Sequence, residues 1–183
     1  MSSSREENFF NYAEGHFIVA PWNKLVKKNF IINHNLFFEE GIIIEDALWT
    51  FKLLFHSQKI KVFPSSTYLY RIREKSIMSN LTKTHVECHI KITNILYTYF
   101  KEKTTPSTII SFETFKNQTM RYAFNIYSSK ESYCTYKILR KYKFSFIKCL
   151  SSQAISIKRI LSYSHYLLPS CIGFLLYKKI LKV

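Results

Sequence analysis

Three residue types that usually interrupt a chain or carry acid chemistry are scarce in this sequence. It has three glycines and four prolines in 183 residues, which argues against a linker-rich or disordered protein. Asp46 is the only aspartate, so any chemistry that requires an aspartate must use this residue. No acidic residue follows Glu131, although ten basic residues lie between positions 132 and 183.

Closely spaced cysteines are also missing. Zinc sites and thioredoxin-like motifs place cysteines a few residues apart. The four cysteines here are far apart: Cys88, Cys134, Cys149 and Cys171. The N-terminus is polar and has no secretory signal, so we expect reduced thiols in a cytoplasmic protein. His85 and His89 have the i, i+4 spacing of two metal ligands, but no third ligand lies near them in sequence, and we predict a helix-surface role for both.

Composition and charge set the outer bounds. Hydrophobic residues make up 47% of the chain and aromatic residues 17%, enough to bury a core. The length fits one domain or one and a half. The formal net charge is +15 and the pI is near 9.7. Such an excess predicts an anionic partner, whether a membrane surface, a nucleotide diphosphate or a nucleic acid.

The most informative stretch covers residues 37–55. A turn at Glu40 and Gly41 leads through an apolar run into two adjacent acids, Glu45 and Asp46. The apolar residues that follow recur at helical spacing, which places both acids in the first turn of a predicted helix. There a carboxylate meets free backbone N–H groups and the positive end of the helix dipole, a structural role worth about 0.3–1 kcal/mol for each acid.

Two further blocks flank this stretch. Residues 21–31 begin with Pro-Trp-Asn-Lys-Leu, and their apolar spacing predicts a helix over 23–33. Residues 67–73 alternate as a strand that places Arg71 and Arg73 on one face. Paired guanidinium groups suit a diphosphate, but an edge strand protected by charge explains them as well. Two shorter strands are predicted, at 16–20 and 59–63.

Together the three blocks resemble the acceptor-side half of family-2 glycosyltransferases of the GT-A fold, bacterial enzymes that build capsular and surface polysaccharides. That family has a Trp-Asn-Lys-Leu-like block, then a Phe-x-x-Gly turn and a Glu-Asp pair. A Tyr-x-Tyr-Arg strand with a second arginine and a Ser-Ile follows. The same order occurs here within residues 16–80, rather less than half of the chain.

The resemblance implies an inverting transfer of a sugar from a nucleotide-sugar donor to a glycan hydroxyl in surface polysaccharide synthesis. It implies that Asp46 is the general base that takes the proton of the acceptor hydroxyl. Arg71 and Arg73 would stabilise charge on the leaving diphosphate. The implied substrate-binding residues beside them are Trp22, Lys24 and Glu45.

The chain departs from the family where the family binds its donor. Family members begin with a nucleotide-binding βα half that carries an Asp-x-Asp motif for Mn²⁺ or Mg²⁺. A chain with one aspartate cannot contain that motif. We therefore expect a truncated gene product, or half of a split enzyme whose donor-binding half is encoded separately. The divalent cation belongs to the complete enzyme, and this chain alone is expected to be inactive.

The predicted fold class is α/β, mainly helical overall, in two parts. Residues 1–83 form the acceptor-side half of a GT-A nucleotide-diphospho-sugar transferase, and residues 84–183 form a helical, basic extension. Residues 84–87, Thr-His-Val-Glu, predict a capping box that opens a helix ending before Pro106. A second helix follows, with apolar residues from Phe112 to Ile126 at helical spacing.

Residues 132–183 favour association with a membrane. The apolar run from Tyr166 to Tyr177 is shorter than the about 20 residues of a spanning helix, and the basic residues around it suit an anionic leaflet. We therefore predict a peripheral location on the inner face of the cytoplasmic membrane, where the lipid-linked acceptors common in the resembled family are found. Nucleic acid is not a predicted partner, because the sequence has no DNA- or RNA-binding motif.

The residues alone leave a second function open. In this alternative the chain is a non-catalytic, basic peripheral-membrane or adaptor protein, and the two acids only begin a helix. Trp22 would then be a core anchor and Lys24 a solvated cation. A close approach of Asp46 to Arg71 or Arg73 across one concave site would favour the enzyme. Placement on opposite faces would favour the adaptor.

Overall fold

The computed structural model describes residues 2–69, 71, 81–101, 104–144 and 163–181. The chain divides into two compact units, Met1–Leu81 and Thr82–Val183, which we call unit 1 and unit 2. The boundary expected from the sequence follows residue 83, and the observed one follows Leu81. Helices and strands are numbered in chain order over the described residues.

Unit 1 begins with a short ribbon and a capped helix. Strand β1, Ser2–Ser3, pairs in antiparallel fashion with β2, Ile60–Lys61. Helix α1, Arg5–Ala13, begins at a capping box formed by Ser4 and Glu7. The Ser4 hydroxyl accepts from the Glu7 backbone N–H at 3.2 Å, and the Glu7 carboxylate accepts from the Ser4 backbone N–H. Two N–H groups that a helix start leaves unpaired are thereby satisfied.

The predicted helix with two acids in its first turn is confirmed as α3, Glu45–His56. Most of its residues are buried: Ala47, Leu48, Trp49, Thr50, Phe51, Leu53, Leu54 and Phe55. Phe51 packs against Tyr12 of α1 in an edge-to-face arrangement, with ring centroids 4.6 Å apart. Helix α3 is thus the central core element of unit 1, and it holds both acids in a defined place.

The region before α3 is less helical than predicted. The helix expected at 23–33 is divided into a 3₁₀ turn, Pro21–Asn23, and the shorter α2, Lys28–Asn33. Proline is accommodated at the start of the turn because its missing N–H would be unpaired there. The indole N–H of Trp49 donates to the carbonyl oxygen of Leu36 at 3.0 Å, and both residues share a buried cluster with the segment around α2.

The strand predictions in unit 1 are largely wrong over the described residues. Residues 16–20 and 67–69 form no strand, and the strand expected at 59–63 is reduced to Ile60–Lys61. Alternating side chains favour extended backbone, but a strand also needs a neighbour that pairs its N–H and C=O groups. Here β2 pairs with the two residues of β1. The Arg73 end of the third predicted strand lies outside the described residues.

The described residues of unit 2 give the bounds of four α-helices. These are α4, Lys83–Phe100; α5, Pro106–Ile126; α6, Ser129–Lys141; and α7, Ser170–Leu181. The two helices predicted after residue 84 correspond to α4 and α5. The predicted capping box at 84–87 is wrong, because α4 begins two residues earlier. Its N-cap is Thr82, whose backbone N–H donates to Nδ1 of His85 at 3.1 Å, the role that a glutamate usually fills.

Helices α4 and α5 pack along each other and form the core of unit 2. Their fully buried apolar residues are Val86, Ile92, Leu96, Phe100, Ile109, Phe112, Met120 and Ala123. Most of these belong to the stripes that the sequence predicts as packing surfaces. Hydrophobic spacing therefore identified the buried faces of both helices correctly.

Helix α7 approaches α6 closely at Gly173. A Cβ atom on Gly173 would lie 2.6 Å from the carbonyl oxygen of His165 and 2.6 Å from the hydroxyl of Tyr136. Any side chain at this position would therefore require the helix or these neighbours to shift. One turn further along, Tyr177 joins Tyr136 and Leu139 in one buried cluster. Helix α7 is a packed element of unit 2, with one face turned inward.

The fold is mainly helical, as expected for the chain as a whole. The described residues contain one two-stranded ribbon and no larger sheet. The GT-A part of the α/β expectation therefore stays a prediction. Within the part of the chain that the structure describes, no helix combines the length and the hydropathy that crossing a bilayer requires.

Candidate functional site

A buried hydrogen bond holds the segment before α2 against α3. The hydroxyl of Thr50, one turn after Asp46, donates to the carbonyl oxygen of Val19 at 2.7 Å. Thr50 is fully buried, so this bond satisfies a hydroxyl that has no access to water. The segment that carries Trp22 and Lys24 is thereby held beside the helix that carries Asp46.

Lys24 folds back onto its own segment. Its ammonium group donates to the carbonyl oxygens of Ile18 and Ala20, at 2.5 and 2.7 Å, and to Oδ1 of Asn23 at 2.8 Å. An ammonium group has three hydrogens, so these acceptors use all of them. Partial burial lowers the pKa of Lys24 to about 8, and the Asp46 carboxylate opposes this shift. Lys24 therefore organises the segment and places positive charge near Asp46.

Trp22 stacks on Tyr68, with ring centroids 4.2 Å apart and planes 19° from parallel. Trp22 is 42% exposed and Tyr68 is 48% exposed, so the role of Trp22 as a core anchor is wrong. A stack covers one face of each ring, and the pair still presents aromatic surface to solvent. The C–H face of a sugar ring is apolar and flat enough to pack on such a surface.

The two predicted acids begin α3 without a side-chain cap before them. The N-cap residue is Ile44, whose side chain has no acceptor, and both Glu45 and Asp46 are half-buried. Their charges lie at the positive end of the α3 dipole. Gly41 precedes them with a φ of 74°, a left-handed conformation that glycine adopts without a steric penalty. The turn leads the chain into α3, where Asp46 is partly exposed.

The structure describes one of the two predicted arginines. Arg71 is exposed, and none of the ion pairs in the described ranges joins it to Asp46. Arg73 lies outside those ranges. The close approach that would favour an enzyme therefore stays a prediction. A cation that does act on Asp46 is Lys24.

Sequence reasoning missed Tyr68 as a site residue. Alternation placed it on the face of a predicted strand opposite Arg71, whereas the chain at 67–69 forms no strand and the ring lies on Trp22. The sequence does have an aromatic residue near the start of both the first and the third block. This pattern alone does not predict the stack, because it does not show that the two blocks lie side by side.

The two histidines of α4 are core residues, so the predicted helix-surface role is wrong. His85 and His89 are each 3% exposed. Nδ1 of His89 lies 3.2 Å from the Thr119 hydroxyl, and its ring stacks on Phe115. Burial, with a smaller contribution from His85, lowers the pKa of His89 to about 3. Over the described ranges, His, Cys, Asp and Glu side chains form no group of three or more that would hold a metal ion.

Unit 2 encloses a polar cluster around Lys116 that the sequence did not reveal. Lys116 is 2% exposed, and its ammonium group donates to both carboxylate oxygens of Glu113, at 3.0 and 3.2 Å. It also donates to the carbonyl oxygen of Tyr142 at 2.7 Å and contacts the Tyr166 hydroxyl. Burial lowers the pKa of Lys116, whereas Glu113 raises it. The i, i+3 pair was visible in the sequence, but its two tyrosine partners come from other elements.

A second buried group joins residues 163–168 to α6. Nδ1 of His165 lies 2.9 Å from the Tyr136 hydroxyl, and Arg140 donates to the carbonyl oxygen of Tyr166 at 2.9 Å. Burial, followed by the charges of Lys116 and Arg140, lowers the pKa of His165 to about 3. Because these groups are occupied with one another inside a packed unit, we assign them a structural role.

Comparisons with known proteins do not supply a function. The chain matches no protein-family model, and no curated protein or solved structure matches it. The residues of unit 1 and their geometry therefore carry the functional proposal.

Proposed function

We propose that unit 1 is the acceptor-side part of a glycosyltransferase that transfers a sugar from a nucleotide-sugar donor to a glycan hydroxyl. The observation that carries this proposal is the convergence of three separate sequence blocks. Trp22 of the first block stacks on Tyr68 of the third, and Asp46 of the second acts on the charge of Lys24. The side chains in these contacts are half-buried or exposed. Packing of the helical core does not by itself require such contacts.

Asp46 is the general base in this proposal. Its carboxylate takes the proton of the acceptor hydroxyl while that oxygen forms a bond to the anomeric carbon of the donor sugar. The bond from that carbon to the diphosphate breaks on the opposite side, so the configuration inverts. The partial exposure of Asp46 supports this role, because the acceptor hydroxyl must reach within hydrogen-bond distance of the carboxylate.

The neighbouring residues have distinct roles. The paired rings of Trp22 and Tyr68 offer a surface for the apolar face of an acceptor sugar. Lys24 acts as a positioning residue, because its three hydrogens already bind oxygen atoms of its own segment. Glu45 adds a second carboxylate for sugar hydroxyls.

Groups other than Asp46 would bind the nucleotide-sugar donor and its leaving diphosphate. The exposed Arg71, together with Arg73, would bind the oxygens of the leaving diphosphate. The nucleotide sugar with its Mn²⁺ or Mg²⁺ would be held by a donor-binding half, because a chain with one aspartate does not supply an Asp-x-Asp motif. That half is the protein partner of this proposal.

The test is a transfer assay with the Asp46→Asn variant. The chain is combined with the donor-binding half of a family-2 glycosyltransferase, and incorporation of labelled sugar into glycan is measured. A general base contributes about 10²–10⁴-fold, so Asp46→Asn should lose activity by that factor. Glu45→Gln is the matched control, since it removes the adjacent acid from the same helical turn, and it should lose less than about tenfold. A variant at position 46 that keeps most of the activity contradicts the proposal.

The ion pairs of the described residues do not join Asp46 to Arg71, which favours a second candidate, a non-catalytic basic peripheral-membrane or adaptor protein. In this candidate Glu45 and Asp46 only stabilise the start of α3. The same two variants distinguish the candidates. Equal and small effects of Asp46→Asn and Glu45→Gln, on stability alone, would support the adaptor.

A further inference from the structure

Helix α7 has a buried side and an exposed side. The buried stripe follows i, i+4, i+8 spacing: Gly173, Tyr177 and Leu181. At about 100° of rotation per residue, Ile172, Leu175 and Lys179 lie on the opposite side of the helix, and all three are exposed. The side of α7 that turns away from α6 is therefore aliphatic at its beginning and basic at its end.

A further exposed aliphatic residue precedes the helix. Ile172 is 52% exposed and Leu175 is 67% exposed. Leu167, in the 3₁₀ turn His165–Leu167 that precedes α7, is 81% exposed. Three large aliphatic side chains thus face solvent within a few residues of one another, next to an exposed lysine. Helices that lie in a membrane interface have this combination of apolar and basic residues.

Most of the positive charge of the chain belongs to unit 2. Residues 82–183 contain seventeen Lys and Arg and four Glu, a net charge of +13, whereas residues 1–81 have a net charge of +2. Helix α6 carries exposed lysines at i, i+7 and i+11, on its outer side: Lys130, Lys137 and Lys141. An anionic surface complements this charge, and the attraction acts over about 10 Å at moderate salt.

The kind of exposed apolar residue distinguishes a bilayer from nucleic acid. In the described part of unit 2, the large hydrophobic residues that are exposed are all aliphatic: Ile138, Leu167, Ile172 and Leu175. Single-stranded nucleic acid binds to exposed aromatic rings on which bases stack. The aromatic rings near α7 are instead packed together, as in the contact between Tyr136 and Tyr177. Aliphatic side chains beside lysines match acyl chains beside lipid phosphates.

We propose that unit 2 binds the surface of an anionic lipid bilayer through the exposed side of α7. Ile172 and Leu175 enter the boundary between headgroups and acyl chains, with Leu167 beside them, and Lys179 meets the lipid phosphates. The lysines of α6 add long-range attraction. Binding is peripheral and reversible, and it does not depend on the function proposed for unit 1.

The test measures binding of the full chain to vesicles of phosphatidylcholine, with and without phosphatidylglycerol. The chain should bind the vesicles that contain phosphatidylglycerol and should dissociate as salt is added. The double variant Ile172→Ser/Leu175→Ser should bind at least about tenfold more weakly, because two aliphatic side chains no longer leave water. Leu69→Ser is the matched control, since Leu69 is a 96% exposed leucine in unit 1, and it should bind as the wild type does. Far-UV circular dichroism verifies that each variant is folded.

The charge contribution is tested separately. Lys179→Gln should weaken vesicle binding about fivefold at low salt, because a lysine near an anionic leaflet contributes that factor. Lys137→Gln should weaken it less, because Lys137 lies on α6 and acts on the leaflet only at long range. Equal binding to vesicles with and without phosphatidylglycerol overturns the proposal. So does vesicle binding that the double variant leaves unchanged.

Two alternative occupants of this surface give different results. Binding to single-stranded RNA in preference to anionic vesicles, unaffected by the double variant, identifies a nucleic-acid surface and overturns the proposal. A change from dimer to monomer in the double variant, with vesicle binding unchanged, identifies self-association through α7 and also overturns it. Light scattering of both proteins supplies this measurement.

Discussion

Lys24 in unit 1 and Lys116 in unit 2 use the same side chain in opposite ways. Burial lowers the pKa of both, and a carboxylate opposes the shift in both. Lys24 is half-buried and binds neutral oxygens of its own segment, with Asp46 nearby. Lys116 is 2% exposed and binds the Glu113 carboxylate directly. In unit 1 the charged groups border solvent, where a ligand can meet them, whereas in unit 2 they neutralise one another inside the core.

Exposed apolar residues occur in both units, but their surroundings differ. Unit 1 presents the stacked rings of Trp22 and Tyr68, which suit a flat polar ligand. Unit 2 presents Ile172 and Leu175 on a strongly basic body, which suits a lipid surface. The buried polar network around Lys116 has a structural role. The candidate catalytic residue, Asp46, is half-buried in the first turn of α3.

The sequence offers a way to observe the two units separately. Both tryptophans, Trp22 and Trp49, belong to unit 1, so their fluorescence reports unfolding of unit 1 alone. Far-UV circular dichroism reports helix, which is abundant in both units. Urea unfolding monitored by both signals therefore attributes a change in stability to one unit.

The largest expected effect comes from removing the buried cation. Lys116→Met leaves the Glu113 carboxylate buried without its cation, and the free energy of unfolding of unit 2 should fall by about 3–5 kcal/mol. Lys24→Met removes hydrogen bonds at a partly solvated site and should cost about 1 kcal/mol. Urea unfolding of both variants is the measurement. The double variant Lys116→Met/Glu113→Leu should recover most of the loss, and equal losses at positions 24 and 116 would contradict the distinction between the units.

Acid should destabilise unit 2. Burial holds the pKa of His89 and of His165 at about 3, against an ordinary value of 6.5. The unfolded chain therefore binds more protons than the folded chain between about pH 3 and 6.5, and stability falls as the pH drops through this range. At about pH 5 each histidine should remove about 2 kcal/mol from the free energy of unfolding.

Urea unfolding at about pH 7 and pH 5 measures this loss. His89→Gln and His165→Gln should each reduce the difference between the two conditions. The tryptophan signal of unit 1 should change less than the circular dichroism signal. An identical acid response of both signals would show that other groups dominate.

Glycine is required for different reasons in the two units, which gives an effect of intermediate size. Gly173→Ala places a Cβ against Tyr136 and should destabilise unit 2 by about 1–3 kcal/mol, and Gly173→Asn should destabilise it more. Gly41 has open space around it and a positive φ, so Gly41→Ala should cost about 1 kcal/mol. Gly41→Asn should cost less than Gly41→Ala, because asparagine tolerates this conformation. The opposite order of Ala and Asn at the two positions, measured by urea unfolding, is the decisive result.

The smallest expected effect on stability is at the candidate sugar surface. Trp22→Ala removes a stack at an exposed position and should lower the free energy of unfolding by about 0.5–1.5 kcal/mol. Trp49→Ala removes a buried ring and should cost about 3–5 kcal/mol. In the transfer assay Trp22→Ala should raise the KM for the acceptor with little change in kcat. A larger loss of stability at position 22 than at position 49 would mean that Trp22 is a packing residue.

Local signals in the sequence predicted several elements well. Apolar residues at helical spacing predicted α3, α4 and α5, and the position of Glu45 and Asp46 in the first turn of α3 followed from the same pattern. The predictions that failed depended on a partner that the sequence does not show. Residues 16–20 form a short apolar run that is typical of a strand, but no neighbouring strand pairs with them in the described part of the chain.

The sequence by itself determined the mainly helical character of this protein, its single aspartate and the concentration of positive charge in residues 82–183. These properties depend on composition and on spacing within a few turns. Only the tertiary structure decided that Lys116 is enclosed and that Trp22 meets Tyr68. It also decided that α7 turns Ile172 and Leu175 outward. Such contacts join residues far apart in the chain, and helix packing selects them because each helix must bury its apolar side against another.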